Sequence, residues 1–416
     1  MGVSFPPEVE GLIQAIERDH FVRPEAVLGP LRQLLQRCAD RDQIAYVCEK
    51  LGFAHLRLGE HQMSRIYYEH ALRLQPENFY ILANLAHALF ELGDRAEGVD
   101  HGRRALLLKD QSVMAAGPGR LEKPHGGSKR LISFSLYGDQ AKYCETAVLN
   151  CIAARRHFPG YVCRFHIDQT GPSPIIRRLQ EQGAEIVVVK DRSASVFPTA
   201  WRFLPLDDRD ADIVLVRDVD SLIDAREASC VHEWIASGKP FHIIRDDCCH
   251  TELILAGLFA ARAGVLGPVK EQLERFMASP DHPPQGRYAD QLFLRQCIWP
   301  RVRNDAVTHD RIYGYGTDVR GVPAELPGSP GPFNHFMGAA YATYQVRVTL
   351  QEPLPDKRRT FLRILDERGG IVCEHPMERV GTCALQILLP PDDARQLESG
   401  QWKHQLVSTN AKDDHP

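Results

Sequence analysis

Four residues of one stretch return 34 positions later in the next: Leu51, Leu58, Gly59 and Ala71 recur as Leu85, Leu92, Gly93 and Ala105. Self-similarity at such a period means stacked supersecondary units, none of which can bury its apolar face alone. In the first unit Leu51-Gly52 suits a tight helix contact, Gly59 a turn, Tyr68 an aromatic filler, Ala71 a close approach and Pro76 a stop. The second unit keeps Leu82, Leu85, Ala86 and Gly93, but has Gly98 and Gly102 where Ala and an aromatic residue are usual. Two units bury little core, so the apolar positions from Val9 to Ile16 and from Val27 to Leu35 are expected to add a capping helix pair.

With this period and these positions, residues 1–114 resemble a short tetratricopeptide domain of helical repeats. A Gly- and Pro-rich stretch without periodicity, residues 115–129, reads as a linker. From Arg130 the texture alternates. Leu131 to Leu136 predicts a strand, Tyr143 to Arg156 a helix, Tyr161 to Ile167 a strand, Pro174 to Gln182 a helix and Ala184 to Val189 a strand. Ile213 to Val216, Pro240 to Ile244 and Leu253 to Ala260 predict three more strands. Such alternation implies a parallel sheet covered by helices, over residues 130–343. Beyond it, Tyr344–Leu350, Thr360–Leu365, Gly370–His375, Thr382–Leu389 and Gln401–Ser408 are short β-type segments without helices between them, so residues 344–416 are expected to form a small β-rich appendage. The expected class is multidomain α, α/β and β.

Composition narrows the functions. Hydrophobic residues make up 44% and charged residues 25%, enough for a full core, and no stretch approaches the ~20 continuous apolar residues of a membrane span. A net charge of -4 gives no electrostatic pull toward nucleic acid. The eleven cysteines are an odd number without metal-type spacing, which favours a reducing compartment. The opening residues carry no leader pattern, and Pro6 departs from the myristoylation motif, so a cytoplasmic location is expected.

The chemistry is concentrated where the apolar run Ile213-Val-Leu-Val216 meets Arg217-Asp218-Val219-Asp220-Ser221. In an open parallel sheet ligands bind beyond the carboxyl ends of strands. Residues two apart on a strand point the same way, so Asp218 and Asp220 are candidates for one hard, oxygen-preferring cation, Mg2+ or Mn2+. A surface turn capped by two aspartates is the bland alternative.

Taken in order, Ser133 to Gly138, Trp201 to Leu204, Arg217 to Ser221, Phe241 to Asp246, Asp290-Gln291 and His309-Asp310 resemble a nucleotide-sugar-dependent glycosyltransferase domain of GT-A type, a Rossmann-like α/β fold. That resemblance implies a UDP- or GDP-sugar donor whose nucleotide lies against the first strand and Tyr137. It further implies that Asp218 and Asp220 hold Mn2+ or Mg2+ against the diphosphate, with His309 as third ligand. Arg202 and Arg217 are candidates for the guanidinium that neutralises the leaving phosphate; an ion pair that orients the carboxylates is an equal reading of Arg217. Asp290 ranks first as catalytic base or sugar-orienting residue, with a helix cap as the alternative. Asp246, in the polar run after the Phe241 strand, is a second catalytic candidate. Gly257 either admits a sugar ring or relieves backbone packing.

Two departures stand out. No Gly-x-x-Lys follows His309, and position 247 is Asp where an Arg-Asp-His pattern would show His. A haloacid-dehalogenase-type phosphatase also starts from an apolar strand ending in Asp-x-Asp, but on its first strand. An inert α/β platform beside a protein-binding repeat domain is the non-enzymatic alternative. The repeats suggest a peptide, protein or glycan acceptor presented by the helices, or self-association through them.

Overall fold

The computed structural model describes all residues except 1, 2, 4, 115–119, 191–195, 280–287, 324–335, 356–357 and 411–416. Two compact units divide the chain. The first comprises Met1–Pro118 with Arg245–Leu253 and Asp310–Arg320; the second comprises Gly119–Ile244, Ile254–His309 and Gly321–Pro416. No helix among the described residues is long and apolar enough to cross a membrane, and all eleven cysteines are free thiols.

The first unit carries helices α1 (Glu10–Asp19), α2 (Pro24–Leu35), α3 (Arg41–Arg57), α4 (His61–Leu74), α5 (Phe79–Leu92) and α6 (Arg95–Val113). Asp40 caps α3 by accepting from the Gln43 N–H at 2.8 Å, and Asn78 caps α5. Gly93 ends α5 at φ 88°, where a Cβ would be strained. The expected capping pair is present: Val9, Ile16, Val27, Leu31 and Leu34 pack with Val47, Leu51 and Ala54 of α3. The irregular second repeat has a physical cause. A Cβ on Gly102 would lie 2.1 Å from the Tyr313 ring, and one on Gly98 would lie 2.7 Å from Phe90. Tyr313, from the 310–320 segment, fills the space that a repeat side chain would otherwise take.

The second unit begins with β1 (Lys129–Leu136), α7 (Ala141–His157), β2 (Tyr161–Ile167), α8 (Ser173–Glu181) and β3 (Glu185–Val188). A 3-10 segment, Pro198–Asp207, leads to β4 (Ala211–Arg217), α9 (Ala225–Ser237) and β5 (Phe241–Arg245). Then come β6 (Leu258–Arg262), α10 (Val269–Ala278), α11 (Ala289–Phe293), α12 (Trp299–Val302) and β7 (Ala306–Asp310). The sheet runs β3-β2-β1-β4-β6-β5-β7. β1 pairs parallel with β2 and β4, but β6 is antiparallel to both β4 and β5. The expected strand Leu253–Ala260 is therefore corrected: β6 starts five residues later, and it reverses direction because no helix separates it from β5. Chain order runs outward from β1 to β3 on one side and resumes at β4 on the other, so β1 and β4 flank a topological switch point.

After β8 (Asp318–Arg320) come β9 (Tyr344–Thr349), β10 (Arg358–Leu365), β11 (Ile371–Pro376), β12 (Glu378–Arg379), β13 (Ala384–Leu389), α13 (Pro391–Glu398) and β14 (Lys403–Asn410). Two three-stranded sheets, β11-β10-β14 and β12-β13-β9, result. The C-terminal segment is not free of helix, since α13 lies between β13 and β14. Its Leu362, Ile364, Cys373, Leu385 and Leu389 join Phe134, Ala147, Phe165 and Ile175 in one hydrophobic cluster.

Candidate functional site

Strand β4 ends at Arg217, three residues sooner than strand alternation through Asp220 requires, and Asp218 to Asp220 form a turn beyond it. The two carboxylates still share a cavity. A cleft of about 570 Å3 is lined by Ser135, Leu136 and Tyr137 at the end of β1, by Asp218 and Asp220 beyond β4, and by Arg202, Tyr288 and Asp290, among others. It therefore opens at the carboxyl ends of β1 and β4, at the switch point.

Why the acidic turn keeps its shape is clear from its neighbours. Asn150 of α7 is fully buried and donates to the carbonyl oxygens of Val219 (3.0 Å) and Ser221 (3.1 Å), while its own Oδ1 accepts from the Ile223 N–H (3.1 Å). Arg217 points away from the cavity. It is 1% exposed and pairs with Glu227 at 3.2 Å, while donating to Gly257 O and to Ser221 Oγ. Arg217 is thus ion-paired with Glu227, a partner that neither of its sequence readings names. Burial outweighs Arg217 and pushes the Glu227 carboxyl up to about 7.

Arg202 is the cation of the cavity. Its Nη1 donates to Asp218 Oδ1 and its Nη2 to Asp290 Oδ2 at 2.7 Å, and its backbone N–H donates to Ser135 Oγ at 3.0 Å. Burial works against this charge, but Asp218 and Asp290 outweigh it and hold the guanidinium above its ordinary range. The Asp290 carboxyl is raised, by burial first; Arg202 offsets part of this and Asp218 adds to it. Asp220 is raised too, by burial and then by the like charge of Asp218. Tyr137 lines the mouth with its ring edge-on to Trp201, 6.0 Å between centroids, and burial raises its hydroxyl.

Gly257 has a specific neighbour. A Cβ there would lie 2.0 Å from Asp218 Oδ2, so its missing side chain makes room for the carboxylate, neither for a ring nor for backbone packing alone. Gln291 holds the approach to this glycine: with its amide nitrogen toward Ile254 O (2.9 Å), its oxygen accepts from the Ala256 N–H (3.0 Å).

Two candidates lie elsewhere. His309 on β7 is fully buried; its Nδ1 meets His242 Nε2 at 2.8 Å and its Nε2 meets Glu233 Oε2 at 3.3 Å. Strands β6 and β5 separate β7 from β4, about 14 Å of sheet, and His309 is not among the cavity's lining residues. Asp246 belongs to the 245–253 segment of the helical unit, fully buried, with Arg311 Nε 3.1 Å from its Oδ1. Ser135 lies within the Ser133 to Gly138 stretch, whereas no sequence motif marks Asn150 or Glu227. Asn150 alone left a signal, as a polar residue amid the apolar positions of α7.

Residues 45–78 match the tetratricopeptide repeat family. That span covers most of α3, all of α4 and the cap of α5. No curated protein matches the chain. Among solved structures, a mutant O-GlcNAc transferase of Thermobaculum terrenum aligns with 45% of this chain and 42% of its own, at 13% identity and a TM-score of 0.23. This chain thus spans less than half of that protein's length, and so loose a likeness fixes neither fold nor activity.

Proposed function

We propose that the second unit is a GT-A-type glycosyltransferase that moves a sugar from a nucleotide-sugar donor to an acceptor hydroxyl. One observation carries the proposal: Asp218, Asp220, Arg202 and Asp290 line a single cavity at the switch point between β1 and β4. Brought together there are two carboxylates for a hard cation, a buried guanidinium and a carboxyl raised toward proton acceptance.

The donor set suits Mg2+ or Mn2+. Asp218 and Asp220 supply oxygen only, and Asp220 carries the strain of a like charge, which a cation relieves. His309 is left out of this set. When bound, the metal would supply positive charge against the leaving diphosphate. The chain's own residues do the rest. Arg202 adds a second positive charge beside the breaking bond. The bond from the anomeric carbon to the diphosphate oxygen breaks, the acceptor oxygen bonds to that carbon, and its proton passes to Asp290. Arg202 fixes the orientation of Asp290 through Oδ2 at 2.7 Å. Tyr137 and Tyr288 offer faces to the donor at the mouth. The helical repeats, by this proposal, recognise the polypeptide or glycan that carries the acceptor.

A phosphatase of haloacid-dehalogenase type is disfavoured. Its acidic strand comes first, whereas β4 is fourth in chain order, and Asp246 and Asp247 lie outside the cavity lining. Incubation of the chain with Mn2+ and a panel of nucleotide sugars tests the proposal. Nucleoside diphosphate should appear with at least one donor; release of phosphate from a phosphomonoester instead would overturn it.

A further inference from the structure

A different cluster lies in the helical unit. His87 and Glu91 sit four residues apart on α5, hence on one face. Cys248 arrives from the 245–253 segment, and ligand atoms of all three lie within 4.8 Å of one another. His87 Nε2 is 3.7 Å from Glu91 Oε1, about the spacing of two ligands on one tetrahedral zinc. His61 of α4 stands beside the set: its Nε2 is 3.9 Å from the other Glu91 oxygen, and its buried Nδ1 has no hydrogen-bond partner.

We propose that His87, Glu91 and Cys248 form a binding site for one zinc-class ion, with the fourth position left to His61 or water. The donor set selects the metal class. An imidazole, a carboxylate and a thiol suit a borderline-soft ion and do not suit Mg2+ or Ca2+. The third ligand is held in place before any metal arrives. Tyr313 donates its hydroxyl proton to Cys248 O, and buried Lys109 reaches Thr251 O at 2.8 Å and Glu252 Oε1 at 2.7 Å. Burial lowers the His87 pKa, which keeps the ring neutral as a ligand must be. On binding, the Cys248 Sγ–H proton passes to solvent and the thiolate bonds the metal, with no change of oxidation state.

Glu145, Cys373 and His375 in the second unit form a similar triplet, and the comparison is instructive. There Arg178 and His375 already occupy the Glu145 oxygens at 2.7 and 2.8 Å, and His375 Nδ1 is engaged by Asp139 O at 3.1 Å. That set is satisfied internally. At His87 and Glu91 the contacts are long, 3.7 and 3.9 Å, and Cys248 Sγ makes one weak bond, to Asp247 Oδ1 at 3.4 Å, which a metal would replace.

The test is titration of the full chain, first stripped with a chelator, with Co2+ and then Zn2+. One cobalt per chain should give a thiolate-to-cobalt charge-transfer band that zinc abolishes. Cys248→Ser should lose that band, and His87→Ala should weaken binding by more than about tenfold, with far-UV circular dichroism confirming that both fold. Asp218→Ala should keep the band, since the cavity carboxylates contribute no sulfur. A band that is absent from the wild type, or that survives in both Cys248→Ser and His87→Ala, overturns the proposal. If Cys248→Ser fails to fold, a band unchanged in His87→Ala overturns it alone.

Discussion

Gly257 and Asp218 share one volume: a methyl on the glycine would stand 2.0 Å from the aspartate's Oδ2. Gly257→Ala therefore has to displace the carboxylate or the backbone. Overpacking of this kind costs about 1–3 kcal/mol. The expected result is a modest fall in thermal stability with a larger fall in Mn2+-dependent donor binding, read by calorimetric titration. Unchanged binding would mean that Asp218 Oδ2 is not needed for the metal.

Asn150 is the second lever on the same turn. Asn150→Leu removes three hydrogen bonds and takes the partner from the Val219 carbonyl and the Ile223 N–H, a loss of about 1–3 kcal/mol for each unsatisfied group, while Ser221 O keeps its bond from Arg217 Nη2 at 3.3 Å. The variant should fold with a lowered Tm and bind the donor weakly even though it retains Asp218 and Asp220. Asn150→Asp should do little better, because a carboxylate cannot donate to those carbonyls.

Arg202 is predicted to resist conservative replacement. Its fork reaches Asp218 and Asp290 from two nitrogens at once, and a lysine offers one point charge. Arg202→Lys should lower kcat by more than about tenfold, with a smaller change in KM, in a nucleoside diphosphate release assay. It should also shift the acidic limb of the pH profile, since the Asp290 carboxyl would then lose the close guanidinium contact that offsets its burial.

Glu227 sets a pH dependence of stability. Its carboxyl is raised from the ordinary 4.5 to about 7 in the folded state. Below 4.5 both states are protonated and the contribution is fully present. As pH rises through 7 the unfolded chain gives up its proton first, so stability is lost across that window. Glu227→Gln should flatten the slope of unfolding free energy between pH 4.5 and 7 relative to wild type. An identical slope in denaturant titrations would contradict the assignment.

How far the sequence speaks for this fold depends on the range of each signal. The 34-residue repeat and the strands β1, β2, β4 and β5 are local patterns, apolar runs punctuated by Gly and Pro, and they are readable. The reversal of β6 is not, because residues 246–257 carry no periodicity and direction is set by which strand edge is open. Helix α13 escaped because it has eight residues and only Ala394 and Leu397 among its aliphatic positions. In the site, Asp218 and Asp220 announce themselves by spacing and share the cavity. Their supports do not: Asn150 meets the acidic turn and Glu227 meets Arg217 only through tertiary contacts, and Gly257, visible as a glycine, gains its Asp218 neighbour only in the fold. His309, suggested by motif order, lies on β7, with β6 and β5 between it and β4. Cys248 and His87 are likewise joined only by the fold, which is why cysteine spacing hid them.

The most direct test of the central claim is a thermal-shift titration of nucleotide sugars with and without Mn2+, on wild type and on Asp218→Asn and Asp220→Asn. At ~100-fold excess over Kd, a ligand stabilises the native state by about 2.7 kcal/mol. Wild type should gain a few degrees with at least one UDP- or GDP-sugar only when Mn2+ is present, and both variants should lose that gain. A donor-induced shift that is independent of Mn2+, or that persists in both variants, would contradict a metal-bound donor at Asp218 and Asp220.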